Sequence, residues 1–226
     1  MTWRQISDDV VVMSFPWRVL GIDFRRNVTL LRLSDGRVVV HSTAPFGVED
    51  IAAIRSFGEP AWLLDATLMH DTFAKEGRAA LPELPYLAPA GFAEVSGLPT
   101  ALLSPAPPEW GDEIEVIKIE GTRKNEHALF HRSSRTLVVA DVFFSMPPET
   151  QGWPRFFARH FMRLPRLFGI SAFFRLIIND RPAFERSVNR LVELEFEKLI
   201  VAHWEPVVRD AKATVQWALR DFGFAK

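Results

Sequence analysis

Two short apolar runs constrain this chain more than anything else in it: residues 135–144 (RTLVVADVFF) and 198–206 (KLIVAHWEP). Each stops abruptly at a side chain able to ligate a metal, Asp141 in the first and His203 in the second. Unbroken apolar runs of this length read as strands buried on both faces. Layered α/β folds build their sites just past the carboxyl ends of such strands. A third segment, 62–73 (WLLDATLMHDTF), ends in the same way at His70.

The totals narrow the class. A chain of 226 residues, 48% hydrophobic and 24% charged, is long enough for one layered domain with a sizeable core. A formal net charge of −1 gives no electrostatic bias toward nucleic acid, so no nucleic-acid partner is expected. With no cysteine, disulfides, thiolate catalysis and cysteine zinc sites are excluded. The start, MTWRQISDDVVV, carries acids where a signal peptide would need a basic and then an apolar block. No run approaches the ~18–20 apolar residues of a membrane span. The expectation is a single cytoplasmic domain over 1–226 that takes a small-molecule ligand.

Along the chain, 10–15, 28–33 and 37–42 read as strands, with Ser34, Asp35 and Gly36 supplying hairpin-turn chemistry. Val48, Ile51, Ile54 and Phe57 have helical spacing, and Gly58-Glu59-Pro60 stops that helix. A short strand at 62–64, a helix over 71–80 and a strand at 86–88 follow. The proline- and glycine-rich stretch 91–111 reads as a crossing loop. Strands are expected at 114–119, 127–131 and 135–140, the last two as a hairpin about Arg132-Ser133-Ser134. Asp180 and Pro182 mark a helix start. That helix runs to about 195, followed by a strand at 199–202. Val208, Ala211, Val215, Leu219 and Phe222 line one face of a final helix. Strands then helices, twice over, predict an α/β (α+β) chain folded as a four-layer αββα sandwich.

These residues resemble the metallo-β-lactamase fold superfamily and, within it, the uncharacterised DUF4336 family. The superfamily's Thr-His-x-His-x-Asp-His segment matches Thr67 to Phe73, where only Thr67 and the second histidine, His70, are kept. Its Gly-His-Thr segment matches Glu120-Gly121-Thr122, without the histidine. Its Gly-Asp segment matches Ala140-Asp141, and its Gly-His-Gly segment matches Ala202-His203-Trp204. The DUF4336 likeness rests on HSTAP (41–45) and FHRSSRTLVVAD (130–141).

The resemblance implies a depleted ligand set of His70, Asp141 and His203, with Leu68, Thr72 and Phe73 where further ligands would stand. Two histidines and a carboxylate can hold one divalent metal, zinc or iron, for a hydrolytic reaction. Glu120 could add a fourth oxygen, and Asp71 is the candidate catalytic base. The alternative is a metal-free, catalytically inactive binding or regulatory protein on the same fold.

Other groups read less sharply. His127 and His131 share one face of a strand and are expected near a partly exposed sheet margin. His41 stands at a strand end beside Ser42 and Thr43. Ser42 and Ser145 lack a Gly-x-Ser-x-Gly elbow, which argues against a nucleophilic serine. Residues 147–182 read as a helical insertion, basic and aromatic, broken by Pro154 and Pro165. Between 151 and 178 it has five arginines and no acid. Lid or core packing is the favoured role; adsorption to an anionic membrane surface and a homodimer contact are alternatives.

Overall fold

Strand β2 (Val10–Phe15) shows in six residues why the apolar runs are unbroken. Val10 and Val12 face one core, and Val11, Met13 and Phe15 face another. The computed structural model describes residues 2–224. In it, β1 (Thr2–Ser7) and β2 form a hairpin, followed by a small ribbon of β3 (Arg18–Val19) and β4 (Ile22–Asp23). Next come β5 (Arg26–Arg32), β6 (Arg37–His41), β7 (Glu59–Leu64), β8 (Tyr86–Ala88) and β9 (Ala101–Leu102). They complete a seven-stranded sheet in the order β1-β2-β5-β6-β7-β8-β9, parallel from β6 onward. The second sheet has four strands, β10 (Ile114–Lys118), β11 (His127–His131), β12 (Thr136–Val138) and, after a minor pair of β13 (Phe144–Ser145) and β14 (Phe168–Gly169), β15 (Lys198–Ile200).

Three cores follow from the pleat. Val10, Val12, Leu31, Val39 and Leu64 of the first sheet meet Ile114, Leu129, Val138 and Ile200 of the second. The first sheet's other face packs on helices α1 (Val48–Phe57) and α2 (Ala74–Ala80) and on Phe92 of α3 (Phe92–Ser96). After α4 (Gly152–His160) and α5 (Ala172–Arg175), helices α6 (Arg181–Glu193) and α7 (Ala211–Phe222) cover the second sheet's outer face. This is the αββα sandwich. Burying a side chain such as Leu129 is worth about 1.5–3 kcal/mol, against ~1 kcal/mol for a helix cap. The inter-sheet core, rather than the caps, therefore fixes where the strand ends lie.

Local signals mostly place the elements. Asp180 caps α6 by accepting from the Ala183 N–H at 3.0 Å, with Pro182 in the first turn. Gly121 (φ 72°) passes so close to α6 that a Cβ there would fall 2.1 Å from the Asp180 carbonyl oxygen.

Three expectations change, and β1 was not among them. The edge strand β1 had no periodic signal, being a half-exposed run of mixed residues. Residues 91–111 hold α3, the two-residue strand β9 and a 3-10 turn at Pro108–Trp110 that buries Trp110 completely. Residues 71–80 divide into a 3-10 turn, Asp71–Phe73, and α2. Pro154 does not break the 151–178 segment: it sits in the first turn of α4, where its missing N–H has no helical partner to lose. This segment packs Phe157, Ala158, Met162, Leu164 and Leu167 against Phe144, Ile22 and Trp204, beside the strand ends.

Candidate metal centre

β12 and β15 run parallel, with Val138 opposite Ile200. Asp141 and His203 each lie three positions beyond that pair, so equal registers deliver them side by side. His70 arrives from the other sheet, on the turn that follows β7. Asn27 of β5 stitches the two sheets together at this end. Its backbone N–H donates to the Ala202 carbonyl at 2.8 Å, and its side-chain amide donates to the carbonyls of Val201 and Trp204 at 2.9 Å each.

The three side chains are buried and converge, their candidate ligand atoms all within 4.8 Å of one another. His70 Nε2 lies 3.3 Å from Asp141 Oδ2, and His203 Nε2 lies 3.2 Å from Asp141 Oδ1. Donors bound tetrahedrally to one zinc at ~2.1 Å stand about 3.4 Å apart, close to each of these nitrogen–oxygen spacings, which run to the two separate oxygens of Asp141. His203 Nδ1 is 2.6 Å from the Arg25 carbonyl oxygen, which can only accept. Nδ1 therefore carries a hydrogen, and Nε2 is the nitrogen that faces Asp141. Trp17 and Phe144 stack against the His203 ring at 5.1 and 5.7 Å. His70 has no aligned hydrogen bond at either ring nitrogen, although both are buried. An unsatisfied buried polar group costs about 1–3 kcal/mol, and a metal ligand role accounts for one of these two nitrogens.

The electrostatics hold His70 and Asp141 in ligand form. Burial, reinforced by the Arg26 guanidinium, pushes His70 down to about 4, so it is a neutral imidazole at neutral pH. Burial alone would raise Asp141, but the two imidazoles prevail and hold it well below the ordinary carboxylate range.

Behind the three residues lies a second layer that sequence reasoning missed. Glu126 Oε1 accepts from the backbone N–H groups of Ala140, Asp141 and Val142 at 3.1, 3.1 and 3.0 Å, clamping the loop that carries Asp141. Burial and the Asp141 charge push Glu126 up to about 8. Arg26, fully buried at the start of β5, reaches Ser42 at 3.3 Å and feels the charges of Asp65 and Asp141. Asp65 accepts from Tyr86 Oη at 2.6 Å and Thr43 Oγ1 at 2.8 Å, and burial raises it to about 6. His41, buried with neither ring nitrogen bonded, is pushed down to about 3 by burial and by the neighbouring His70. Glu126 stands in a polar loop and Arg26 beside a second arginine, so neither differs in sequence from a solvated charge.

Other candidates fall elsewhere. Asp71, half-buried, opens the 3-10 turn next to His70 but is not among the residues lining the cavity above it. Glu120 is exposed, with its backbone N–H on Ser187, and faces a separate surface depression with Asp180 and Arg186; it supplies no fourth oxygen. His127 and His131 are buried rather than marginal, bonded to the Asn125 carbonyl at 2.9 Å and Ser134 Oγ at 2.7 Å, because helices and the facing sheet cover both sides of β11. Ser42, at φ 78°, is held between Arg26 and Asp65. Leu68 packs against the first sheet's outer core, Thr72 is exposed, and the Phe73 ring lies 5.9 Å from the Arg26 guanidinium.

Above the centre opens a cavity of about 270 Å³. His70, Asp141 and His203 form its floor, and Trp17, Phe24, Phe144, Phe157, Phe173 and Phe174 form much of its wall.

No family model and no curated protein matches the chain. Solved structures do. A metallo-β-lactamase from Pontibacter korlensis superposes with a TM-score of 0.65 at 12% identity, over 97% of this chain and 99% of that one. One from Erythrobacter litoralis gives 0.66 at 12% identity, over 97% and 96%. One from Pseudomonas aeruginosa, in a mono-zinc form, gives 0.64 at 13% identity, over 98% and 95%. At such identities the likeness is one of architecture, and it spans nearly the whole length of both partners. The chain has the metallo-β-lactamase fold.

Proposed function

We propose that this protein is a metal-dependent hydrolase in which His70, Asp141 and His203 hold a single divalent ion, zinc or iron. The observation that carries the reading is the convergence of two buried imidazoles on one carboxylate, with His70 left without any other partner. A protein of similar fold from Pseudomonas aeruginosa has been captured in a mono-zinc form, so this architecture can hold a single ion. Such an ion supplies Lewis-acid polarisation and a lowered pKa for water.

The chain's own residues do the rest. Arg25 orients His203, and Glu126 holds the Asp141 loop. The aromatic wall excludes bulk water and strengthens each charge interaction at the floor. Asp71 follows His70 in the chain but does not line the cavity, so no proton-acceptor role is derived for it. The test is hydrolysis of a panel of chromogenic esters, thioesters and lactams by zinc- or iron-loaded protein. Turnover that falls at least about 100-fold in Asp141→Ala and His203→Ala supports the proposal; turnover unchanged in His203→Ala refutes it.

A metal-free binding protein is the competing reading. It is favoured by one observation, that Asp141 already stands within 3.3 Å of both imidazoles.

A further inference from the structure

The wall above the three floor residues says what kind of molecule fits there. Apart from His70, Asp141 and His203, the lining side chains are apolar but for the Trp17 indole N–H and Ser171, whose oxygen accepts from the Phe174 N–H at 3.1 Å. Among the described residues no lysine, arginine or glutamate borders the cavity. A sugar, nucleotide or peptide backbone would leave its polar groups unpaired against phenylalanine and tryptophan rings. At about 270 Å³ the space lies just under the range of drug-sized pockets, ~300–1,000 Å³, and suits one chain rather than a fused polycyclic ligand.

The mouth continues the same chemistry outward. Phe157 and Phe173 line the cavity and stand 6.1 Å apart; Phe157 then meets Phe161 at 5.4 Å, and Phe156 lies 6.2 Å from Phe161. Phe156, Phe161 and Phe173 are each about half exposed, and Leu20 on the opposite rim is 67% exposed. Trp153 joins the rims by donating from Nε1 to the Leu20 carbonyl at 3.0 Å. Contiguous exposed apolar surface is rare on a protein without a use for it.

We infer that the molecule taken by this site is an amphiphile, with an alkyl or acyl chain in the aromatic cavity and its polar, reacting group on the floor. This deepens the hydrolase reading and rests on it only for what happens at the floor. Such a chain could arrive as a free amphiphile or from a bilayer. Of the five arginines between 151 and 178, Arg166 and Arg175 lie over the Trp217 and Phe222 rings of α7; Arg155, Arg159 and Arg163 suit an anionic bilayer.

The test is displacement of 11-(dansylamino)undecanoic acid from the full chain by n-alkanols of increasing length, with and without prior chelator treatment. Potency should rise about 2–4-fold per methylene and then level off once the cavity is full. Phe173→Glu and Leu20→Glu, both surface changes that spare the core, should each weaken binding at least about tenfold. Val95→Glu, equally exposed on α3 and away from the cavity, should change nothing. No saturable uptake, a flat series, or wild-type binding by Phe173→Glu would overturn the inference. Chain binding by a protein that takes up no metal would support the inference while sinking the hydrolase reading. Metal uptake without chain binding would do the reverse. Pelleting with phosphatidylglycerol-containing vesicles but not with phosphatidylcholine alone would identify the bilayer as source. Displacement without pelleting would identify the free amphiphile, and either result supports the chain.

Discussion

His203 Nδ1 donates to the Arg25 carbonyl at 2.6 Å, and this bond decides which ring nitrogen faces Asp141. The carbonyl is aimed by backbone conformation, since Arg25 sits at φ 55° in the turn between β4 and β5. Its side chain does something separate, a surface contact with Glu205 at 3.4 Å.

Arg25→Gly should therefore keep metal affinity, because glycine adopts that φ freely. Arg25→Val should lower it about 10–100-fold, the usual effect of disturbing a ligand's outer partner. Isothermal titration with zinc compares the two; equal affinities would show that the carbonyl does not position His203.

Glu126 offers a similar contrast. Glu126→Gln retains a carbonyl oxygen for the three N–H groups of 140–142 and should leave stability within about 1 kcal/mol of the parent. Glu126→Ala orphans all three and should lose about 3 kcal/mol or more. Urea unfolding of both variants is the measurement, and an alanine variant as stable as the glutamine one would contradict the clamp.

Asn27→Leu removes the amide that satisfies the Val201 and Trp204 carbonyls. Two buried acceptors are left unpaired, for an expected loss of about 2–4 kcal/mol. Because the same amide ties the first sheet to the His203 loop, zinc affinity should fall with it. Lost stability with unchanged affinity would mean that the loop holds its shape unaided.

Acid stability should depend on His41. Its folded-state value, about 3, lies below the ordinary 6.5, so the unfolded chain binds the extra proton as pH falls between them. Stability is lost over that window, by about 5 kcal/mol. Asp65, raised to about 6, acts oppositely and adds stability as pH falls from about 6 to 3.8, by roughly 3 kcal/mol. His41→Asn removes only the first effect, so between pH 6 and 4 its stability should fall less steeply than the parent's. Denaturant titrations at several pH values decide this; a wild-type acid profile in the variant would refute the assignment.

The strand ends were legible because a run such as LVVA can be buried on both faces only between layers, and Asp141 and His203 stand where such runs stop. His70 was legible by the same logic after WLLDA. Elements without period were not: β9 is two residues long, and β1 is an edge strand of mixed character. The partners that tune the site were hidden for a different reason. Arg26 and Glu126 become buried only because distant segments close over them, and nothing local marks a charge that tertiary contacts will bury. Glu120 misled for the converse reason, since adjacency in sequence to a family motif carried no information about which way the turn at Gly121 points.

The most direct measurement is the metal content of protein purified without chelator, by plasma mass spectrometry, for the parent and for His70→Ala, Asp141→Ala and His203→Ala. The account predicts about one zinc or iron per parent chain and less than a tenth of that in each variant. A parent chain that remains metal-free after incubation with either ion, or variants that keep the parent's content, would contradict it.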